Sequence, residues 1–105
     1  MLNLKETLAV DIGEGIAAAQ AAGELPAVDI AEVVVDRLTA AEARKQNENE
    51  SGRGDYASPV ALSLARVMKM KPMEIAPVIE RHLPRKEYVG RVSVAEPGFL
   101  NIWLS

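Results

Sequence analysis

Leu4, Leu8, Ile12 and Ile16 recur every four residues, the apolar stripe of an amphipathic helix. Asn3 stands where a side chain can cap that helix, and Glu6 where a capping-box acid reaches back. Gly23, followed by Pro26, ends it. Gly13 and Gly15 fall inside the stripe, where each weakens a helix by roughly 1 kcal/mol relative to alanine. The helix must therefore lean on tertiary packing. The spacing Gly13-x-Gly15-x-x-Ala18 imitates a dinucleotide-binding turn, but that motif opens a helix after a strand. Here the glycines follow ten residues of helical pattern, which favours a close helix packing point.

The stretch "AVDIAEVVVDRL" carries two signals. Val33, Val34 and Val35 favour a strand, whereas Ile30, Val34 and Leu38 also suit a helix. A strand over about residues 29–37 is the expectation. Residues 38–54 follow as a long polar loop ending in glycines, with room for a helical turn near Ala40–Lys45. Ser58 then reads as an N-cap with Pro59 at the first helical position. Ala61, Leu64, Ala65 and Met68 form the buried stripe of this second helix. A third turns Ile75, Ile79 and Leu83 inward. Pro77 costs ~3 kcal/mol deep inside a helix, which predicts a start near Glu74 or a kink.

The closing segments "GRVSVA" and "FLNIWL" alternate as two strands of a hairpin. Placing Val92 and Val94 on the same side as Leu100, Ile102 and Leu104 requires Ala95 to face Phe99. Glu96, Pro97 and Gly98 then form a three-residue loop, because a two-residue turn would shift the register and mix the faces. The expected fold class is α+β: a small antiparallel sheet with about three helices packed on one face.

Composition narrows the picture. The chain has 105 residues, enough for a single domain over 1–105, and no cysteine, which excludes disulfides and thiolate metal sites. Lys5, Glu6, Asp11 and Glu14 interrupt the apolar opening, so it does not read as a secretory signal. No apolar run is long enough to span a bilayer, and a cytoplasmic protein without a membrane partner is expected. Residues 1–52 hold 4 basic and 10 acidic side chains, a balance of −6, and residues 53–105 hold 8 basic and 5 acidic, a balance of +3. Such asymmetry steers a polyanionic partner towards the second half.

In the hairpin register Phe99, Asn101 and Trp103 share a face with Arg91, Ser93 and Ala95, away from the helices. Two aromatics flanking an amide beside an arginine suit a nucleobase: a ring stacks for ~1–3 kcal/mol per base, and an amide both donates and accepts. The alternative is that Phe99 or Trp103 tucks under a loop. No catalytic group or metal-ligand set is assigned. His82, the only histidine, lies at a helix end where it can meet the last carbonyls. The methionines of "VMKMKPM" read as core filler.

The segments "GRGDYASPVALSLAR", "KPMEIAPVI" and "VSVAEPGFLNIWLS" together resemble the N-terminal additional domain of arginyl-tRNA synthetase. The likeness covers residues 52–105 and includes Gly54-Asp55-Tyr56-Ala57 and Pro97-Gly98-Phe99-Leu100-Asn101-Ile102. It implies a domain that touches the D-loop corner of arginine tRNA, with Phe99 and Asn101 approaching a nucleotide, and with Arg91, Trp103 and Tyr56 as further candidates. Asp55 and Tyr56 are read mainly as structural, Asp55 accepting backbone N–H bonds in the turn before Ser58. Arg53, Arg66, Lys69, Lys71, Arg85, Lys86 and Arg91 are candidate phosphate contacts.

The chain departs from the family in a longer, more polar loop over about 38–53. It also lacks a His-Ile-Gly-His signature and a Lys-Met-Ser-Lys loop. An aminoacyl-tRNA synthetase catalytic domain is therefore expected to follow Ser105 in a longer chain, with ATP and Mg belonging to that domain and no cofactor to this one. The rival reading is a free-standing protein-interaction module that docks through Phe99 and Trp103.

Overall fold

The computed structural model describes residues 3–29, 33–37 and 55–104. Among them lie α1 (Leu4–Ala21), β1 (Asp36–Arg37), β2 (Tyr56–Ser58), α2 (Val60–Met68), α3 (Pro72–His82), β3 (Val89–Ala95) and β4 (Phe99–Leu104). The strands form one antiparallel sheet in the order β1-β2-β4-β3. This is the expected α+β class.

Helix α1 begins and ends where its sequence says. The Glu6 N–H donates to the Asn3 Oδ1 at 2.8 Å, and the Asn3 N–H donates back to the Glu6 carboxylate at 3.4 Å. At the other end Gly23 takes a φ of +79°, with its N–H on the Gln20 carbonyl and the Glu24 N–H on that of Ala19. This is a Schellman stop, which glycine enters without Cβ strain. Leu8, Ile12, Ile16 and Ala19 are buried. Gly15 is a packing point as expected: a Cβ there would stand 3.2 Å from the Leu83 Cα. Gly13 has open space around it.

Helix α3 starts earlier than the sequence suggests. Pro72 occupies the first turn, Lys71 is the N-cap, and its N–H donates to the Glu74 carboxylate at 2.9 Å. Pro77 lies inside the helix. Its cost of ~3 kcal/mol is outweighed because Ile75, Ile79 and Leu83 are buried, each for about 1.5–3 kcal/mol.

The strand expected over 29–37 is shorter. Among the described residues only Asp36 and Arg37 pair, with Ala57 and Tyr56. Strand β2 is an addition, since Ser58 ends a strand before it reaches a helix. Its hydroxyl donates to the Val34 carbonyl at 2.6 Å and accepts from the Val60 N–H at 3.3 Å. Pro59, rather than Ser58, is the residue that precedes the helix. The expected loop over 38–54, with its helical turn, lies outside the described residues.

The hairpin takes the register that alternation demands: Ala95 faces Phe99, Ser93 faces Asn101, Val92 faces Ile102 and Arg91 faces Trp103. Val92, Leu100, Ile102 and Tyr56 join the helices in one core. Helix α2 packs on β4, α3 packs on β3 and β4, and α1 packs on α3.

A candidate nucleic-acid interface on the outer sheet face

Strand β4 is central, so its outward side chains stand on a floor set by both neighbours. Ala57 of β2 and Ser93 of β3 flank Asn101, and Asp36 continues the row onto β1. Phe99 lies beside Ala95 at one end of the stripe, and Trp103 beside Arg91 at the other. All sit on the face opposite the core. The Arg91 guanidinium carbon is 4.6 Å from the Trp103 ring centroid, a cation–π contact.

Depth differs along the stripe. Phe99 and Trp103 are half-buried, whereas Asn101 is only 4% exposed. Its amide oxygen is buried, with no hydrogen-bond partner among the described residues. Such an orphan costs about 1–3 kcal/mol and calls for an explanation, because buried polar atoms are otherwise paired. Alternation in the sequence gives the face of Asn101 and not its depth. Ala57, its partner in β2, is equally buried at 2% exposure.

Asp55 frames the Trp103 end. Its N–H donates to the Ile102 carbonyl at 2.8 Å and its Oδ2 accepts the Leu104 N–H at 2.9 Å. The expected backbone acceptor role holds, but the partner is β4 rather than the turn. Tyr56 lies on the opposite face from Asn101, opposite Ile102 and only 8% exposed, inside the helix-side core. The structure thus separates Tyr56 from the other four base-contact candidates.

The basic candidates do not gather into one patch. Arg66, Lys69 and Lys71 belong to α2 and the α2–α3 connection, all exposed. Arg85 and Lys86 follow α3 and, with Glu87 and Tyr88, line a surface cavity of about 640 Å³. The Lys86 Nζ stands 3.9 Å from the Asp11 carboxylate. Asp11 is itself buried and also accepts from the Tyr88 hydroxyl. Burial, then that bond, pushes the Tyr88 phenol up to about 12. His82 does not turn to the helix carbonyls: its Nε2 is 2.7 Å from Glu24, which Arg81 also holds. Arg53 lies outside the described residues.

Fold and stripe together define a small α+β domain with a candidate binding face on its sheet. The family model for the arginyl tRNA synthetase N terminal domain matches residues 28–104. The chain belongs to that family. It is 34% identical over 103 residues to an arginine–tRNA ligase of Halorhodospira halophila, an alignment covering 97% of this chain and 16% of that protein. It is 38% identical over 97 residues to the arginine–tRNA ligase of Kineococcus radiotolerans, covering 92% and 16%. The chain thus spans about a sixth of the curated relatives it matches. In fold it resembles the Thermus thermophilus arginyl-tRNA synthetase, with a TM-score of 0.65 at 24% identity over 98% of this chain and 14% of that one. It likewise resembles the Plasmodium falciparum arginyl-tRNA synthetase, with a TM-score of 0.68 at 11% identity over 97% and 16%. No helix among the described residues is long and apolar enough to cross a membrane.

Proposed function

We propose that this chain is the tRNA-recognition domain of an arginine–tRNA ligase, contacting the D-loop corner of arginine tRNA and orienting it for a catalytic domain carried elsewhere in the polypeptide. Phe99 and Trp103 offer rings for stacking, and Asn101 offers an amide to a base edge. Arg91, over Trp103, sets the indole and adds positive charge at that end. ATP and Mg belong to the catalytic domain in this reading, and the setting is the cytoplasm.

The observation that carries it is the unpartnered Asn101 amide oxygen between two aromatics on the outer face. Family membership supports tRNA as the ligand, and the Phe99–Asn101–Trp103 stripe supports this face as its contact.

The test compares two activities of the intact ligase. Phe99→Ala should weaken tRNA charging by tenfold or so while arginine activation persists, given ~1–3 kcal/mol for a lost stack. Equal loss of both would mean misfolding, and no loss of either would remove Phe99 from the interface. The rival, a protein-docking face on Phe99 and Trp103, predicts association with a protein partner that salt leaves unchanged. RNA binding instead falls steeply with salt as counterions are released.

A further inference from the structure

Helix α2 ends on an unusual residue. Lys69 adopts φ 56° and ψ 42°, the left-handed region, and is the only non-glycine with a positive φ among the described residues. Glycine is the ordinary occupant of this helix-stop position, because it has no Cβ to strain. A lysine kept in a strained, exposed turn points to its charge being used.

The turn lies on the helix side of the sheet, at the hairpin tip next to Phe99. A Cβ on Gly98 would fall 2.5 Å from the Pro72 Cβ and 3.5 Å from the Pro72 Cα, so the hairpin tip packs against the proline ring at the start of α3. Phe99 follows Gly98, and Lys71 precedes Pro72. With ~3.8 Å between consecutive Cα atoms, the Lys71 and Phe99 Cα atoms are no more than roughly 13 Å apart. Lys69 is two residues further along the same exposed turn.

Among the described residues neither Lys69 nor Lys71 forms an ion pair, and the same holds for Arg66 and Arg85, whereas Lys86 faces Asp11, Arg81 binds Glu24 and Arg91 covers Trp103. Two acids share this end. Glu74 is turned onto the Lys71 N–H, and Glu96 is exposed at the hairpin tip.

We propose that Lys69 and Lys71 hold the RNA phosphodiester backbone beside the base that Phe99 contacts, so that the strand runs past the hairpin tip and not past the Arg85–Lys86 end. This rests on the tRNA reading of the sheet face. It selects one end of the domain from candidates that sequence alone leaves equivalent.

The test titrates the intact polypeptide carrying this domain with arginine tRNA between ~50 and ~200 mM salt, for wild type, Lys69→Gly, Lys71→Gln, Arg85→Gln and Phe99→Ala. Glycine suits the left-handed position better than lysine, so weakened binding by Lys69→Gly cannot come from a broken turn. Each lysine variant should bind roughly three- to tenfold more weakly at low salt. Each should also lower the slope of log affinity against log salt by about 0.7–0.9, the signature of one lost phosphate contact. Arg85→Gln should leave the slope unchanged. If Phe99→Ala weakens binding while both lysine variants keep wild-type affinity and slope, the phosphate assignment falls and the tRNA reading stands. If Phe99→Ala is silent as well, both fall.

Discussion

Arg91 and Trp103 face each other across the β3–β4 ladder, with the guanidinium carbon 4.6 Å from the indole centroid. Trp103 is the sole tryptophan of the chain, so its fluorescence reports this site. Arg91→Ala should uncover one face of the ring and shift the emission to the red, with far-ultraviolet dichroism unchanged. The accompanying loss of stability should be small, ~0.5–1 kcal/mol for an exposed cation–π pair. An emission spectrum identical to wild type would mean that the guanidinium does not cover the indole in solution.

Two glycines of α1 should respond oppositely to the same substitution. Gly13→Ala meets no atom within 4 Å and should stabilise the chain by about 0.5–1 kcal/mol through helix propensity. Gly15→Ala places a methyl 3.2 Å from the Leu83 Cα and 3.3 Å from its nitrogen, backbone atoms that yield less readily than a side-chain tip. Overpacking of this kind costs typically 1–3 kcal/mol. Urea unfolding of both variants decides it. Equal stabilisation would show that α1 and the end of α3 are not in close contact.

These elements also show how far local pattern reaches. The Gly15 packing point and the Ala95–Phe99 register both follow from counting apolar positions, because helix and strand periods are local properties of the chain. Strand β2 does not. Tyr56, Ala57 and Ser58 are a strand because Ile102, Asn101 and Leu100 lie beside them, more than forty residues away, while Ser58-Pro59 locally signals a helix start. The same non-local pairing sets β1: only Asp36 and Arg37 are opposite the short β2, so the valine run before them contributes burial of Val35 without a described ladder. Within the stripe, the face of Asn101 was legible and its burial was not. Tyr56, although part of the Gly54-Asp55-Tyr56-Ala57 segment that carries the resemblance, belongs to the core for the same reason that β2 was missed.

Acid should loosen the joint between α1 and α3. The hydrogen bond from His82, then that from Arg81, holds the Glu24 carboxyl below its ordinary 4.5. The fold therefore favours the ionised form. Its contribution is present above about pH 4.5 and is lost as pH falls through the lowered folded value. Glu24→Gln should remove this dependence. Urea midpoints of wild type and variant should differ above pH 5 and converge in stronger acid. A constant difference across that range would place the titrating group elsewhere.

Asn101 separates stability from function. Its buried amide oxygen has no partner among the described residues, so Asn101→Leu, close in size, removes an unsatisfied acceptor without opening a cavity. An apolar replacement of an orphaned polar group is neutral or stabilising, here by up to about 1 kcal/mol. A costly unsatisfied amide at the centre of a sheet is the kind of local conflict expected at a functional site. In the intact ligase the variant should keep arginine activation and lose tRNA charging, chiefly through a raised KM for tRNA. Asn101→Gln carries the same amide on a longer arm and should recover part of the loss. A leucine variant that is both more stable and fully active would mean that the acceptor meets no base. A less stable one would mean that the amide is satisfied in solution by water.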